Sequence, residues 1–274
     1  MKKSTTIALA ALLFFAACDK IDPEEYTVYD GAVITWSAGS ADLQPVQRTL
    51  VEKFTGPRCN NCPTADITLD GMHNQWGDRL VLIAVNHPKG QGLPYPNEPD
   101  LRTDGGTAWD EYYGITAIPS AFINREKGTR FEGEMSNIAA ALDNAMQQQP
   151  IVALEATATG ESQISLSIDM QFIQSHTSDM TLTVAVVEDS LEYKQLLPDG
   201  TVDPEYSHNH MLRKVVTSFW GRDVETTGTA GQKVHGAMSF NLPENCVASN
   251  CHIVVFLSDK STRQVINSVA CHIQ

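Results

Sequence analysis

Cys59 and Cys62, two cysteines with Asn60 and Asn61 between them, are the residues of this chain whose spacing implies chemistry most directly. A cysteine at the start of a helix sits beside unpaired N–H groups and the positive end of the helix dipole, which favours the thiolate and makes it a nucleophile. Cys59, the N-terminal and more exposed member, is the expected attacker on a disulfide. Cys62, one turn on, is the expected resolver of the mixed disulfide. Four more cysteines remain: Cys18, Cys246, Cys251 and Cys271. Asp259 to Thr262 reads as a hairpin turn whose strands bring Cys251 and Cys271 within a residue of alignment, so a Cys251–Cys271 bridge is expected first and a Cys246–Cys251 ring second. A zinc site joining Cys59 and Cys62 to two of the distant cysteines is disfavoured, because the second set is spaced differently and lies in a separate part of the chain. His208, His210 and His235 have no evident partnering carboxylate or cysteine motif and read as strand-end polar residues, so neither metal nor cofactor is expected.

The elements that must hold the cysteines are legible around them. Arg48 to Thr55 reads as a strand and Gly56-Pro57 as a turn. Ala65, Leu69, Met72 and Trp76 then recur at helical spacing up to Gly77. Pro63 fits only the first turn of a helix, which fixes the start of that helix at the cysteines. Arg79 to Val85 is a continuous apolar run suited to a buried parallel strand. From His87 to about residue 112 the chain, dense in Pro and Gly at first, reads as a loop rising on the same edge as the cysteines.

This order resembles the thioredoxin superfamily over residues 46–148, with Tyr113-Gly-Ile-Thr-Ala-Ile-Pro-Ser-Ala-Phe-Ile123 similar to its second signature. The resemblance implies a cis Ile118–Pro119 bond lying against the cysteines, with Ile118 and Pro119 presenting a backbone edge to substrate. Glu52 is the nearest candidate for the superfamily's buried acid, one residue out of its usual register, and His87 is a second candidate for a proton relay. Arg58 stands where an aromatic residue is common and Asn60-Asn61 where Gly-Pro is, so a redox potential does not carry over.

Beyond Pro150 the pattern changes to period two, as in Ile164, Leu166, Ile168 and Met170, and about seven strands fill the rest of the chain. The expected fold class is therefore an α/β thioredoxin-like domain (46–148) followed by an all-β immunoglobulin-like sandwich (149–274). At the N-terminus, Lys2, Lys3 and the apolar run Ile7 to Ala17 read as a signal peptide (1–17), too short to span a membrane as a helix. Phe15-Ala-Ala-Cys18 resembles a lipobox, which implies a lipidated Cys18 on a tether (18–45).

Taken together, the lipobox, Glu52 to Pro63, His208-Asn-His-Met-Leu-Arg213 and Val254 to Val265 resemble the outer membrane protein 28-related lipoprotein family. That resemblance implies a lipid-anchored protein of the outer membrane, facing the periplasm or the cell surface. The formal charge of −14, from 19 basic and 33 acidic residues, lacks the basic surface that nucleic acid requires, and no nucleic-acid partner is expected. Two functions remain: a tethered thiol-disulfide oxidoreductase acting on envelope proteins, or a non-catalytic surface-binding or adhesion lipoprotein that uses the same folds as a scaffold.

Overall fold

A computed structural model describes residues 32–133, 135 and 137–274. The expected signal peptide and Cys18 lie outside the described residues. The first half holds β1 (Thr35–Ala38), β2 (Thr49–Thr55), α1 (Cys62–Trp76), β3 (Leu80–Asn86), α2 (Asp104–Tyr113), β4 (Ser120–Ile123), β5 (Arg130–Glu132) and α3 (Ile138–Met146). The second half is built of strands, with one short 3-10 turn at Ala248–Asn250. It runs β6 (Val152–Thr159), β7 (Gln163–Phe172), β8 (Met180–Glu188), β9 (Leu191–Leu196), β10 (Val202–His208), β11 (Met211–Val215), β12 (Arg222–Asp223), β13 (Lys233–Asn241), β14 (Cys251–Asp259) and β15 (Val265–His272).

The expected fold class is overturned by how these strands pair. A nine-stranded sheet runs β15-β14-β8-β11-β3-β2-β4-β5, with β12 also on β8, so strands of both halves belong to one sheet. The join is β3 beside β11, parallel, with Met211 opposite Ala84 and the Ala84 N–H donating to the His210 carbonyl at 2.7 Å. A thioredoxin-like domain followed by an immunoglobulin-like sandwich is therefore not what the chain forms. It forms a mostly β structure of several sheets, with three α-helices among the described residues. The physical reason lies in β3, where all seven residues are buried: so apolar a strand needs a hydrogen-bonded neighbour on each edge, and β11 supplies the second.

Burial explains the layers. All nine residues of β8 are buried, because it is central in the sheet and covered on both faces. Leu182, Val184 and Val186 face a four-stranded sheet, ordered β1-β13-β7-β6, whose own inner face carries Ile164, Leu166, Ile168 and Met170. Ala185 and Val187 face the other way, into a core shared with Leu50, Phe54, Val81, Ile83, Val85 and Trp109 of the first half. A third cluster seats α1 and α3 on the opposite side of β2 and β3 through Val51, Ala65, Leu69, Leu80, Ile138 and Leu142. The expected helix stripe is present, and Gly77 ends α1 at a φ of 57° that suits glycine.

The segment expected as loop to residue 112 is corrected in part. Thr103 caps α2 by accepting from the Gly106 N–H at 2.9 Å, and the helix runs to Tyr113. Gly105-Gly106 in its first turn hid the helix from a periodicity argument.

Candidate functional site: the Cys59–Cys62 bridge

The turn after β2 is tight: the Cys59 N–H donates to the Gly56 carbonyl at 3.1 Å and the Cys62 N–H to the Cys59 carbonyl at 3.3 Å. Pro63 follows at the start of α1, where its missing N–H breaks no helical bond. Cys59 and Cys62 are joined in a disulfide with Cα atoms 5.4 Å apart. The Ile118–Pro119 bond is cis, and the Ile118 carbonyl oxygen lies 3.6 Å from Cys59 Sγ. The cysteines, Ile118 and Pro119 are thus brought together, and Thr116 and Ala117 just before them are exposed.

Exposure of the bridge is corrected. Cys59 is 1% exposed and Cys62 is 0% exposed, because two covers meet over them. One is the β9–β10 hairpin, a two-stranded sheet of its own: the Gln195 amide donates to the Cys59 carbonyl at 2.9 Å, and the Leu196 N–H to the Pro57 carbonyl at 2.8 Å. The other is the loop after β3. There the Gln91 carbonyl accepts from the Arg58 N–H at 3.0 Å, the Pro94 carbonyl accepts from the Arg58 guanidinium at 2.5 Å, and the Tyr95 ring lies under that guanidinium at 5.0 Å. Arg58, which departs from the superfamily pattern, therefore clasps this loop. Gln195 gave no signal in the sequence, since its role depends on a hairpin more than a hundred residues away.

The two proton-relay candidates are placed elsewhere. Glu52 is fully buried, but its carboxylate accepts from Arg125 at 2.7 and 3.1 Å and from the Tyr113 hydroxyl at 2.6 Å, on the face of β2 that packs with Phe54. Alternation along the strand explains this, because Val51 and Lys53 take the face toward α1. Burial, then the Glu52 charge, pushes the Tyr113 hydroxyl well above its ordinary range. His87 holds Asp110 through Nδ1 at 2.6 Å, and burial raises that carboxyl in spite of the histidine.

The ionisable group facing α1 is Lys53. It pairs with Asp66, one turn beyond Cys62, and Tyr206 donates to the same carboxylate at 3.0 Å. Burial lowers the Lys53 ammonium to about 8, against the opposing pull of Asp70. A small cavity of about 30 Å³ opens here, lined by Lys53, Asp66, Asp70, Tyr206 and His210 among others. The residue of β2 on the α1 side is thus a base, and the expected acid Glu52 lies on the other face.

His208 ends β10, His210 lies in the next turn at a φ of 58°, and His235 pairs with Asp169 at 2.8 Å. Burial lowers both His208 and His210 to about 4.

The expected Cys251–Cys271 bridge is corrected: Cys246, Cys251 and Cys271 are all free thiols. Cys271 faces Ile253, two residues along from Cys251, while Cys251 faces Glu188 on β8. The turn is longer than expected. Its Asp259 side chain accepts from the Ser261 and Thr262 N–H groups, the Arg263 N–H donates to the Asp259 carbonyl at 2.8 Å, and a further irregularity between Leu257 and Ser258 completes the slip.

Comparison with known proteins bears on the fold and the family. HBP35 of Porphyromonas gingivalis is similar in structure, with a TM-score of 0.62 and 15% identity over 85% of this chain and 77% of that one. A protein of Agrobacterium tumefaciens has a TM-score of 0.50 and 17% identity over 83% of this chain and 95% of that one. A domain of the outer membrane lipoprotein Omp28 from P. gingivalis has a TM-score of 0.33 and 20% identity over 46% and 89%. No curated protein matches the chain. The family described as outer membrane protein Omp28 matches residues 106–274, well over half of the chain. The chain belongs to the family of the outer membrane protein Omp28, and its place is the outer membrane.

Proposed function

We propose that the protein carries out thiol-disulfide exchange on envelope proteins through Cys59 and Cys62, from a lipid anchor at Cys18. The observation that carries this reading is the Ile118 carbonyl 3.6 Å from Cys59 Sγ beside a cis proline, with the exposed Thr116-Ala117 edge alongside. In the reduced protein the Cys59 thiolate attacks a substrate disulfide, forming a mixed disulfide and releasing one substrate thiol. The Cys62 thiolate then attacks Cys59 Sγ, closing the bridge and releasing the second thiol. Two electrons pass from the cysteine pair to the substrate.

A second reading is favoured by one observation, the burial of both sulfurs. In it the bridge is structural and the protein is a surface-binding lipoprotein. The Cys59–Cys62 reduction potential, measured together with insulin reduction, separates the two. Turnover of insulin and a potential in the range of exchange-active pairs support the first; inertness, or a potential below roughly −300 mV, supports the second.

A further inference from the structure

We propose that Cys246 and Cys251 form a second redox pair that closes into a disulfide, with Cys246 the accessible attacking thiol and Cys251 the buried resolver. The two sulfurs and a Glu188 carboxylate oxygen all lie within 4.8 Å of one another. The residues between them, Val247 to Asn250, make a short turn containing a single 3-10 element. The ring to be closed is small, and the loop already holds its ends together.

The two thiols are unequal in the manner that exchange requires. Cys246 is partly exposed, whereas Cys251 is buried with 0% exposure at the start of β14. The hydrogen bond with Cys251 holds the Cys246 thiol below its ordinary range, with the nearby Arg213 charge acting in the same direction. The same hydrogen bond, then burial, pushes the Cys251 thiol up. Cys246 is therefore the more ready thiolate and the one that a disulfide in solution reaches first. Cys271, where burial raises the thiol to about 11, lies two residues from alignment with Cys251 and is left out of the pair.

Glu188 argues against a metal ion as the occupant of this cluster. It is fully buried, and both of its carboxylate oxygens are engaged, one by the Arg213 guanidinium and one by the Val247 N–H at 2.7 Å. A cation would have to compete with the Arg213 guanidinium for that buried carboxylate.

With oxidised glutathione as the oxidant, the Cys246 thiolate attacks one sulfur of the glutathione disulfide. A Cys246–glutathione mixed disulfide forms and a glutathione thiolate leaves. Cys251 gives its proton to that thiolate and attacks Cys246 Sγ, closing the Cys246–Cys251 bond and releasing the second glutathione. The protein loses two electrons, and one glutathione disulfide becomes two thiols.

The test is peptide mapping of the intact chain without reduction, after incubation with oxidised glutathione. The expected result is a Cys246–Cys251 cross-linked peptide with Cys271 still alkylatable. Cys251→Ser is expected to accumulate glutathione on Cys246, and Cys246→Ser to leave Cys251 unmodified. Cys246 and Cys251 both alkylatable in the treated wild type overturns the proposal, and so does glutathione trapped on Cys251 in preference to Cys246. Stoichiometric zinc that protects both thiols in the wild type also overturns it. Cys271→Ser must cross-link as the wild type does, and the wild-type map stands even if a cysteine variant fails to fold. The outcome is independent of Cys59–Cys62, which lies in different peptides.

Discussion

Glu52 and Lys53 are neighbours on β2 that face opposite sides of the sheet, and this single alternation decides which of them faces α1. Sequence order alone offered Glu52 as the buried acid. Its burial was expected only through the superfamily resemblance, and its partners Arg125 and Tyr113 come from distant elements. Arg125 is itself buried, with its guanidinium 4.5 Å from the ring centres of both Trp109 and Phe256. Glu52→Gln leaves that cation without its counter-charge, so a loss of about 3 kcal/mol in chemical denaturation is expected. The Cys59–Cys62 potential and its pH profile should stay unchanged; movement of either would return Glu52 to a relay role. A pH effect belongs to the same scale. Burial holds His208 and His210 at about 4, so between that value and the ordinary imidazole range near 6.5 the unfolded chain binds protons that the folded chain refuses. Stability from this source is full above pH 6.5 and falls as the pH drops toward 4, by roughly 3 kcal/mol per histidine when complete. Denaturation midpoints from pH 7 to 4 should show the slope. His208→Gln with His210→Asn should flatten it, since asparagine tolerates the left-handed backbone at position 210.

At the scale of elements, the strand before the cysteines, the helix after them and the apolar strand beyond were all readable, because each carries its own periodicity. The cover over the bridge was not, because a loop and a hairpin reveal their packing only through what they touch. The loop after β3 approaches so closely that a Cβ on Gly92 would stand 1.8 Å from the His87 carbonyl oxygen, and one on Gly56 would stand 2.5 Å from the Gln91 carbonyl oxygen. Such contacts can be relieved only by moving backbone. Gly92→Ala is therefore expected to lift the loop from Arg58 and expose the disulfide. The rate of Cys59–Cys62 reduction by a small phosphine should rise about tenfold, equivalent to roughly 1.4 kcal/mol less cover. An unchanged rate would mean that the β9–β10 hairpin, through Gln195, is the cover that matters. The turn at Asp259 teaches the same lesson: its position was readable, but its length rested on side-chain-to-backbone hydrogen bonds, and that length moved Cys271 out of reach of Cys251.

At the scale of the whole molecule, periodicity identified strands but not their partners, so two sheets were expected where one runs through both halves. The seam between β3 and β11 has one register pair, and the core on one face of the sheet crosses it: Val85 of β3, Leu212 of β11 and Val187 of β8 lie in a single cluster. That cluster, more than the seam's hydrogen bonds, must make the halves unfold together, since its apolar burial is the larger favourable contribution. Leu212 is 1% exposed, so Leu212→Ala should cost about 2–5 kcal/mol. At about 2–4 °C per kcal/mol for a chain of this size, the melting temperature should fall by roughly 4–20 °C. The decisive reading is where the loss appears. Amide exchange in β2 of the first half and in β7 of the four-stranded sheet should accelerate by the same factor, because the most protected amides of a cooperative structure share its global opening. If β7 keeps its protection while β2 loses it, the shared sheet is only a contact between two independently folding parts. A chain cut after residue 148 gives the second check: without β11 beside β3 and without Val187, Leu212 and Phe256 against Phe54 and Trp109, it is expected to lack cooperative unfolding altogether.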